Sequence, residues 1–201
     1  MMNLPKQTSL VLTLLFIGVA SFGCANVPLA TMWKMRNFDP LNTDPAKLRF
    51  AVISNQQVKL SDGSTSMTLS FEAEDPAHSF SHTAIASITD HANIESLVSQ
   101  LEQDQKITSF HLKPDDANAL RLAQSKIRNI KNQDIPGNGS LSISVTHGCL
   151  PLKLVEQNRL VVSVFAQFDT EQGYIPMMSG VNLLAEAGDE LREAWTVCEQ
   201  T

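Results

Sequence analysis

The chain of 201 residues carries a formal net charge of -6, and 43% of its residues are hydrophobic. That length suits one domain of ordinary size, with enough apolar side chains for a core. The acidic balance argues against a nucleic-acid-binding surface, which needs a basic footprint, and it gives no general attraction to anionic lipid. We therefore expect no nucleic-acid partner.

The N-terminus has the layout of a secretion signal. Lys6 gives a weakly positive start, and residues 10–20 (LVLTLLFIGVA) form an uncharged, mostly apolar run. A transmembrane helix needs about 20 apolar residues, so this shorter run predicts the core of a signal peptide. The alternative is a short membrane anchor that is never cleaved.

The apolar run is followed by Ser21, Phe22, Gly23 and Cys24. This stretch resembles the bacterial lipobox, in which a small residue precedes a cysteine that is acylated and becomes the mature N-terminus. Gly23 and Cys24 match the two most restrictive positions. Ser21 and Phe22 depart from the aliphatic and small residues that the family favours. Ordinary cleavage after Gly23 or Ala25 is the alternative.

The resemblance implies that residues 1–23 are a signal peptide and that Cys24 is the lipid attachment site. More than one acyl chain on that cysteine would make the anchor stable. By similarity to lipoprotein sorting, Ala25 favours the outer membrane. The stretches MWKMRNFDPLNTDPAKLRF and GNGSLSISVTHGC also resemble small lipoproteins of Gram-negative bacteria. Together these resemblances imply an envelope protein that faces the periplasm and is anchored in the lipid bilayer.

Residues 24–47 are predicted to be the lipidated N-terminus and a tether or arm, and residues 48–201 a single globular domain. Two Asp-Pro steps in NFDPLNTDPAK favour turns and exclude a continuous helix. Trp33, Met35 and Phe38 come before or within this stretch, where a flexible spacer would be polar. We expect these side chains to dock on the domain. The alternative is contact with an envelope protein partner or a membrane surface.

The first strands of the domain are predicted over residues 48–54 and 66–73, where apolar side chains recur at period two. An Asp-Gly-Ser turn signal at residues 62–64 lies between them, so we expect an antiparallel hairpin with a long loop. A third strand is predicted over residues 79–88. Residues 107–112 are predicted to be extended as well.

Two helices are predicted in the middle of the chain. Residues 94–101 carry apolar side chains at helical spacing, and Asp90 or Asn93 is the candidate cap. The strongest helical pattern is KPDDANALRLAQSKIRNIKNQ, where Pro114 suits the first turn and the next two aspartates complement the helix dipole. Its apolar stripe consists of Ala119, Leu120, Ala123, Ile127 and Ile130.

Further strands are predicted over residues 140–146 and 160–168, with an extended piece at 174–178, after a Pro-Gly-Asn-Gly stop signal. Helical spacing of apolar residues then predicts a C-terminal helix that contains Leu191, Ala194, Trp195 and Cys198. Strands and helices do not alternate regularly, which argues against a doubly wound parallel sheet. We predict an α+β fold: mainly an antiparallel β-sheet or sandwich with two or three packed helices.

If Cys24 carries lipid, Cys149 and Cys198 remain as an even pair. Disulfides persist in oxidising compartments, so we expect these two cysteines to be bridged. The bond would close a loop of about 50 residues and stabilise the fold by roughly 3–4 kcal/mol in the chain-entropy picture. Spacing alone does not show that their Cβ atoms meet.

The histidines are the first candidates for a metal site. His78 and His82 have the i,i+4 spacing that places two imidazoles near one zinc ion on a helix. This segment alternates like a strand, however, and four residues of a strand span about 13 Å. We therefore expect His78, His82 and the nearby His91 to be loop or strand-surface residues, and we predict no metal.

His147 lies two residues before Cys149, which raises the hypothesis of a cysteine nucleophile with a histidine base. The availability of Cys198 favours a structural bridge instead. The sequence has no G-x-S-x-G motif, no phosphate-binding glycine loop and no C-x-x-C. We predict no catalytic residue and no cofactor.

The sequence therefore favours a membrane-anchored lipoprotein with a non-catalytic binding, scaffolding or envelope-assembly role. The alternative is an envelope hydrolase whose serine, histidine and aspartate residues converge only in the fold.

Overall fold

The computed structural model describes residues 39–89, 94–169, 171 and 173–198. The predicted positions outside these residues are Cys24, Trp33, Met35, Phe38, Asp90, His91 and Asn93. No helix in the described part of the chain is both long enough and apolar enough to span a membrane.

The described residues form nine β-strands. They are β1 (Arg49–Asn55), β2 (Thr65–Ala73), β3 (Phe80–Ile88), β4 (Gln105–Leu112), β5 (Gly137–Val145), β6 (Cys149–Leu150), β7 (Val161–Gln167), β8 (Ile175–Asn182) and β9 (Thr196–Val197). Seven of them make one antiparallel sheet in the order β5-β2-β3-β4-β1-β7-β8, curled into a half-barrel. The short strands β6 and β9 form a separate parallel pair.

The helices are α1 (Glu95–Val98), α2 (Pro114–Lys131), α3 (Leu152–Glu156), α4 (Leu183–Glu186) and α5 (Gly188–Ala194). Two 3-10 turns precede strands at Pro45–Lys47 and Pro76–His78. The predicted α+β class, an antiparallel sheet with packed helices, is confirmed. The described residues contain five helices rather than the two or three expected. Four of the five are shorter than eight residues and so are too short for a clear helical pattern in the sequence.

The predicted hairpin between the first two strands is wrong. β1 pairs with β4 on one side and β7 on the other, whereas β2 pairs with β3 and β5. β1 is apolar on both faces and therefore belongs at the centre of the sheet. The connection after β1 begins with a turn and continues as an extended segment, in which Val58 is buried and Lys59 pairs through its backbone with Cys149.

The concave side of the half-barrel holds the main core. Inward-facing side chains of β1 to β4, such as Phe50, Phe71 and Phe110, pack there against one face of α2. The buried face of α2 differs slightly from prediction, because Ala117 is buried and Gln124 is a buried polar member of it. Pro114 does begin this helix, with Asp115 and Asp116 in its first turn.

A second cluster fills the end of the molecule where the C-terminal segment meets the sheet. Its buried members are Val58, Leu150, Leu160, Val162, Leu184 and Trp195. The predicted C-terminal helix is only partly correct, because α5 ends at Ala194 and Trp195 is extended, with φ -114° and ψ 145°. The chain then forms β9 beside β6, which brings Cys198 close to the start of β6.

A third, smaller cluster covers part of the convex face, where Leu97 of α1 packs with Ile53, Phe165 and Tyr174. α1 has a single turn, and Val98, predicted as part of its apolar face, is 53% exposed.

Candidate functional site

A cavity of about 220 Å³ lies inside the half-barrel, where the main core meets the C-terminal cluster. Its wall is almost entirely apolar: Val52 of β1, Ile143 and Val145 of β5, Val162 of β7 and Met178 of β8 all face it. β5 and β8 are the two edge strands of the sheet. The curl of the sheet thus brings both edges to one cavity.

The cavity exists because α2 covers only part of the concave face. This helix packs on β2, β3, β4 and the first 3-10 turn, and it has no comparable contact with β7 or β8. Over β7 and β8 the cover is instead the C-terminal segment, which contributes Leu183, Leu191 and Trp195 to the cavity wall. The apolar space lies under the C-terminal segment, beyond the part of the sheet that α2 covers. Apolar cavities of about 150 Å³ in proteins stay dry and bind molecules such as benzene.

Trp195 is the only aromatic side chain that the described residues contribute to the cavity wall. It is 9% exposed, and its Nε1 has no hydrogen-bond partner among the described residues. The other edge of the indole lies on Gly148, where an added Cβ would come within 2.8 Å of Cζ3 and 3.0 Å of the Lys59 carbonyl oxygen. The glycine therefore permits the close packing that sets this wall of the cavity.

Cys149 and Cys198 are joined in a disulfide, with Cα atoms 4.9 Å apart, and the predicted pairing is confirmed. The bond crosslinks the start of β6 to the residue after β9, three positions beyond Trp195. Because its sulfur is bonded to Cys198, Cys149 has no thiolate to act as a nucleophile. His147 instead places its Nδ1 3.0 Å from the Thr146 hydroxyl.

One lysine lies on the strand beside the Ser54 end of the cavity. Lys106 of β4 is directly opposite Ser54 of β1, and Ser54 is a buried polar residue of the cavity wall. Burial lowers the pKa of Lys106 below its ordinary value of 10.5, and the charge of Lys59 lowers that pKa further. No carboxylate of the described residues lies within salt-bridge distance of either lysine.

A larger cleft of about 410 Å³ lies between the turn after β1, the turn before β4, and α3. Its rim carries Glu102, Asp104, Lys153 and Arg159, all of them exposed. None of the buried polar atoms that lack a hydrogen-bond partner belongs to a residue of this cleft. Mixed surface charges without a desolvated polar group do not define a ligand, so the smaller apolar cavity is the stronger candidate site.

The predicted histidines lie in different settings. His78, on the second 3-10 turn, is exposed, and its Nε2 is 3.9 Å from a carboxylate oxygen of Asp75. His82 is on β3, and its Nε2 is buried without a hydrogen-bond partner among the described residues. Within the described ranges, no three His, Cys, Asp or Glu residues are grouped so that they would hold a metal ion.

The cavity residues were not singled out in the sequence, apart from Trp195 as part of an apolar stripe. Period-two alternation correctly placed Val52, Ile143 and Val145 on the inner face, but it carries no information on how far the sheet curls. Lys106 has no sequence signal beyond its position next to a predicted strand.

Comparison with protein-family models, with curated proteins and with solved structures finds no match for this chain.

Proposed function

We propose that this protein is a lipid-anchored lipoprotein of the bacterial cell envelope that binds an apolar ligand inside its half-barrel. The observation that supports binding is the apolar cavity of about 220 Å³ between the curled sheet and the C-terminal segment. The proposal of an anchor at Cys24, in the outer membrane and facing the periplasm, rests on the lipobox resemblance and on Ala25 after the cysteine. Export of this chain agrees with the disulfide, since such bonds persist in oxidising compartments.

The role we propose is non-catalytic. Cys149 is bonded to Cys198. Among the described residues, none of the histidine contacts joins a serine hydroxyl to an imidazole. An apolar wall with few polar groups is better suited to binding an apolar ligand or a partner's side chain than to hydrolysing a polar bond.

Binding is tested with a neutral fluorescent naphthylamine, added to the mature chain (residues 24–201) in its Cys24→Ala form, which has no acyl chain of its own. Val162→Phe fills the cavity from β7, and we expect it to abolish the rise in probe fluorescence. The matched control is Val161→Phe, because Val161 is the next residue on β7 and does not line the cavity. Equal probe binding by the parent chain and Val162→Phe would refute the assignment of the site.

The anchor is tested separately by metabolic labelling with palmitate. We expect the wild-type chain to become labelled and Cys24→Ala to remain unlabelled. Label that persists in the variant, or that never appears on the wild type, would disprove lipidation at Cys24.

A further inference from the structure

The outer side of β5 is an edge of the sheet that no described strand covers. β5 pairs with β2 on one side and stands at the end of the strand order. In an antiparallel ladder, hydrogen-bonded pairs alternate with pairs that are not hydrogen-bonded. Just beyond the two ends of β5, the Thr146 N–H donates to the Ser64 carbonyl oxygen at 2.8 Å, and the Glu74 N–H donates to the Pro136 carbonyl oxygen at 3.2 Å.

These two hydrogen bonds determine which residues of β5 face the open edge. The register between β2 and β5 has no shift, so the even-numbered residues of β5 direct their N–H and C=O groups toward β2, like residues 136 and 146. The odd-numbered residues direct theirs the other way. They are Gly137, Gly139, Leu141, Ile143 and Val145. Among the described residues, no turn, loop or neighbouring element hydrogen-bonds to these outward groups.

The two edges of the sheet differ in how well they are protected against pairing with another strand. Edge strands are commonly blunted by proline, by charged side chains or by irregular geometry. β8 contains Pro176, and Gly180 with a φ of 63°, and its pairing with β7 is irregular. β5 has nine residues, pairs without a register shift, and contains neither proline nor a charged residue. β5 is therefore the edge that is able to accept a further strand.

The side chains of β5 also leave apolar surface for a neighbouring strand to cover. Leu141 and Ile143 are half-buried at the rim of the main core, and Val145 is half-buried beside the C-terminal cluster. The serines between and beside them are exposed on the other face. A strand added along this edge would bury the three apolar side chains further and leave the serines in water.

We propose that β5 pairs antiparallel with β5 of a second copy of this chain, so that two half-barrels share one continuous sheet. The segment from residue 140 to residue 144 (SLSIS) has the same polar–apolar pattern in both directions, as a strand that pairs with itself requires. A two-fold axis at Ser142 places Leu141 opposite Ile143 of the second copy, and both residues offer outward backbone groups. Serine then lies opposite serine on the exposed face.

Charge favours this strand as the contact between two identical chains. Each copy carries a net charge of -6, so two copies repel each other over most of their surfaces. Like charges directly opposite each other also destabilise a strand pair. β5 brings no charged side chain to the contact, and the two copies meet there without that cost.

The pairing is tested by sedimentation equilibrium over a concentration series of the mature chain (residues 24–201) with Cys24→Ala, which has no acyl chain of its own. We expect a monomer–dimer equilibrium. Ser142→Lys puts two ammonium groups opposite each other at the axis and should weaken dimerisation about tenfold or more. The matched control is Ser81→Lys, since Ser81 is an exposed serine on the same face of β3, two strands from the edge. Circular dichroism checks that each variant is folded.

The register is tested by crosslinking. At the proposed axis the two copies of residue 142 form a non-hydrogen-bonded pair with Cα atoms about 4.5 Å apart, which suits a disulfide. Ser142→Cys should therefore give a covalent dimer on a non-reducing gel, and Ser81→Cys should not. A parent chain that stays monomeric at every concentration would overturn the inference, and so would a dimer that Ser142→Lys leaves intact. A dimer that Ser142→Cys fails to crosslink would exclude the two-fold pairing at this residue.

Discussion

Gly148 and Trp195 are packed so closely that no side chain fits between them. A Cβ on Gly148 would lie 2.8 Å from Cζ3 of the indole and 3.0 Å from the backbone oxygen of Lys59. Neither neighbour is the free end of a flexible side chain, so the strand pair β6–β9 or the cavity wall would have to move. The glycine is thus a requirement of packing at the cavity.

Gly148→Ala should lower the free energy of unfolding by about 1–3 kcal/mol, the usual cost of overpacking a core. It should also shift the fluorescence of Trp195 in a Trp33→Phe background. Urea denaturation followed by tryptophan emission measures both effects. The matched control is Gly139→Ala on β5, where the added Cβ would meet only an ordinary contact of 3.8 Å. Equal stability of the two variants would contradict the packing argument.

Loss of the disulfide should weaken the same region. The bond joins residues 49 positions apart, and a loop of that length predicts about 4 kcal/mol of stabilisation in the chain-entropy picture. The double variant Cys149→Ser, Cys198→Ser should therefore unfold at lower denaturant concentration. Reductant should destabilise the wild type to a similar extent and leave the double variant unchanged. A wild type that is indifferent to reductant would show that the bond adds no stability.

Local patterns in the sequence predict most elements of this fold because they depend on nearby residues. Alternation located β1, β2 and β5 to within a few residues, and Pro114 with its two aspartates marked the start of α2. The pairing partner of β1 was not predicted correctly, since β1 pairs with β4 and β7 rather than with the next strand along the chain. Pairing depends on long-range burial, and local alternation does not encode it.

The candidate site was harder to predict for the same reason. The cysteine pair was predicted correctly from the number of cysteines and the expected compartment, two properties of the whole chain. The cavity depends on the curl of the sheet and on the way the C-terminal segment packs over it. The position of Lys106 opposite Ser54 likewise follows from the β1–β4 register. No motif in the sequence encodes these distant relationships.

Gln124 should be important for holding the segment before β1 against α2. Its side-chain amide donates hydrogen bonds of 2.8 Å to the carbonyl oxygens of Pro40 and Thr43, and the residue is only 4% exposed. Gln124→Ala removes both donors and leaves those carbonyls unsatisfied, so we expect a loss of about 1–3 kcal/mol in unfolding free energy. The matched control is Asn129→Ala, an exposed position on the same helix, where the change should stay within about 0.5 kcal/mol. A Gln124→Ala chain as stable as the control would exclude this role.

The salt bridge between Asp44 and Arg121 should make the stability of this same contact depend on pH in the acidic range. The two side chains are 2.6 Å apart and roughly two-fifths exposed. The Arg121 hydrogen bond, together with the Ala46 amide, holds the pKa of Asp44 below its ordinary value of 3.8. A carboxyl with a depressed folded-state pKa contributes stability above its unfolded pKa and loses it as the pH falls through the folded value.

Asp44→Asn should therefore destabilise the protein at neutral pH, by no more than about 1 kcal/mol because the pair is exposed. The difference between variant and wild type should begin to shrink below about pH 4, where the carboxyl of the unfolded chain becomes protonated, and should continue to shrink as the pH falls through the lower folded-state pKa of Asp44. Urea denaturation of both chains from pH 7 to pH 3 measures this difference, with Glu156→Gln on α3 as the control for loss of an exposed carboxylate. A difference between Asp44→Asn and wild type that stays constant across that range would rule out the salt bridge as its cause.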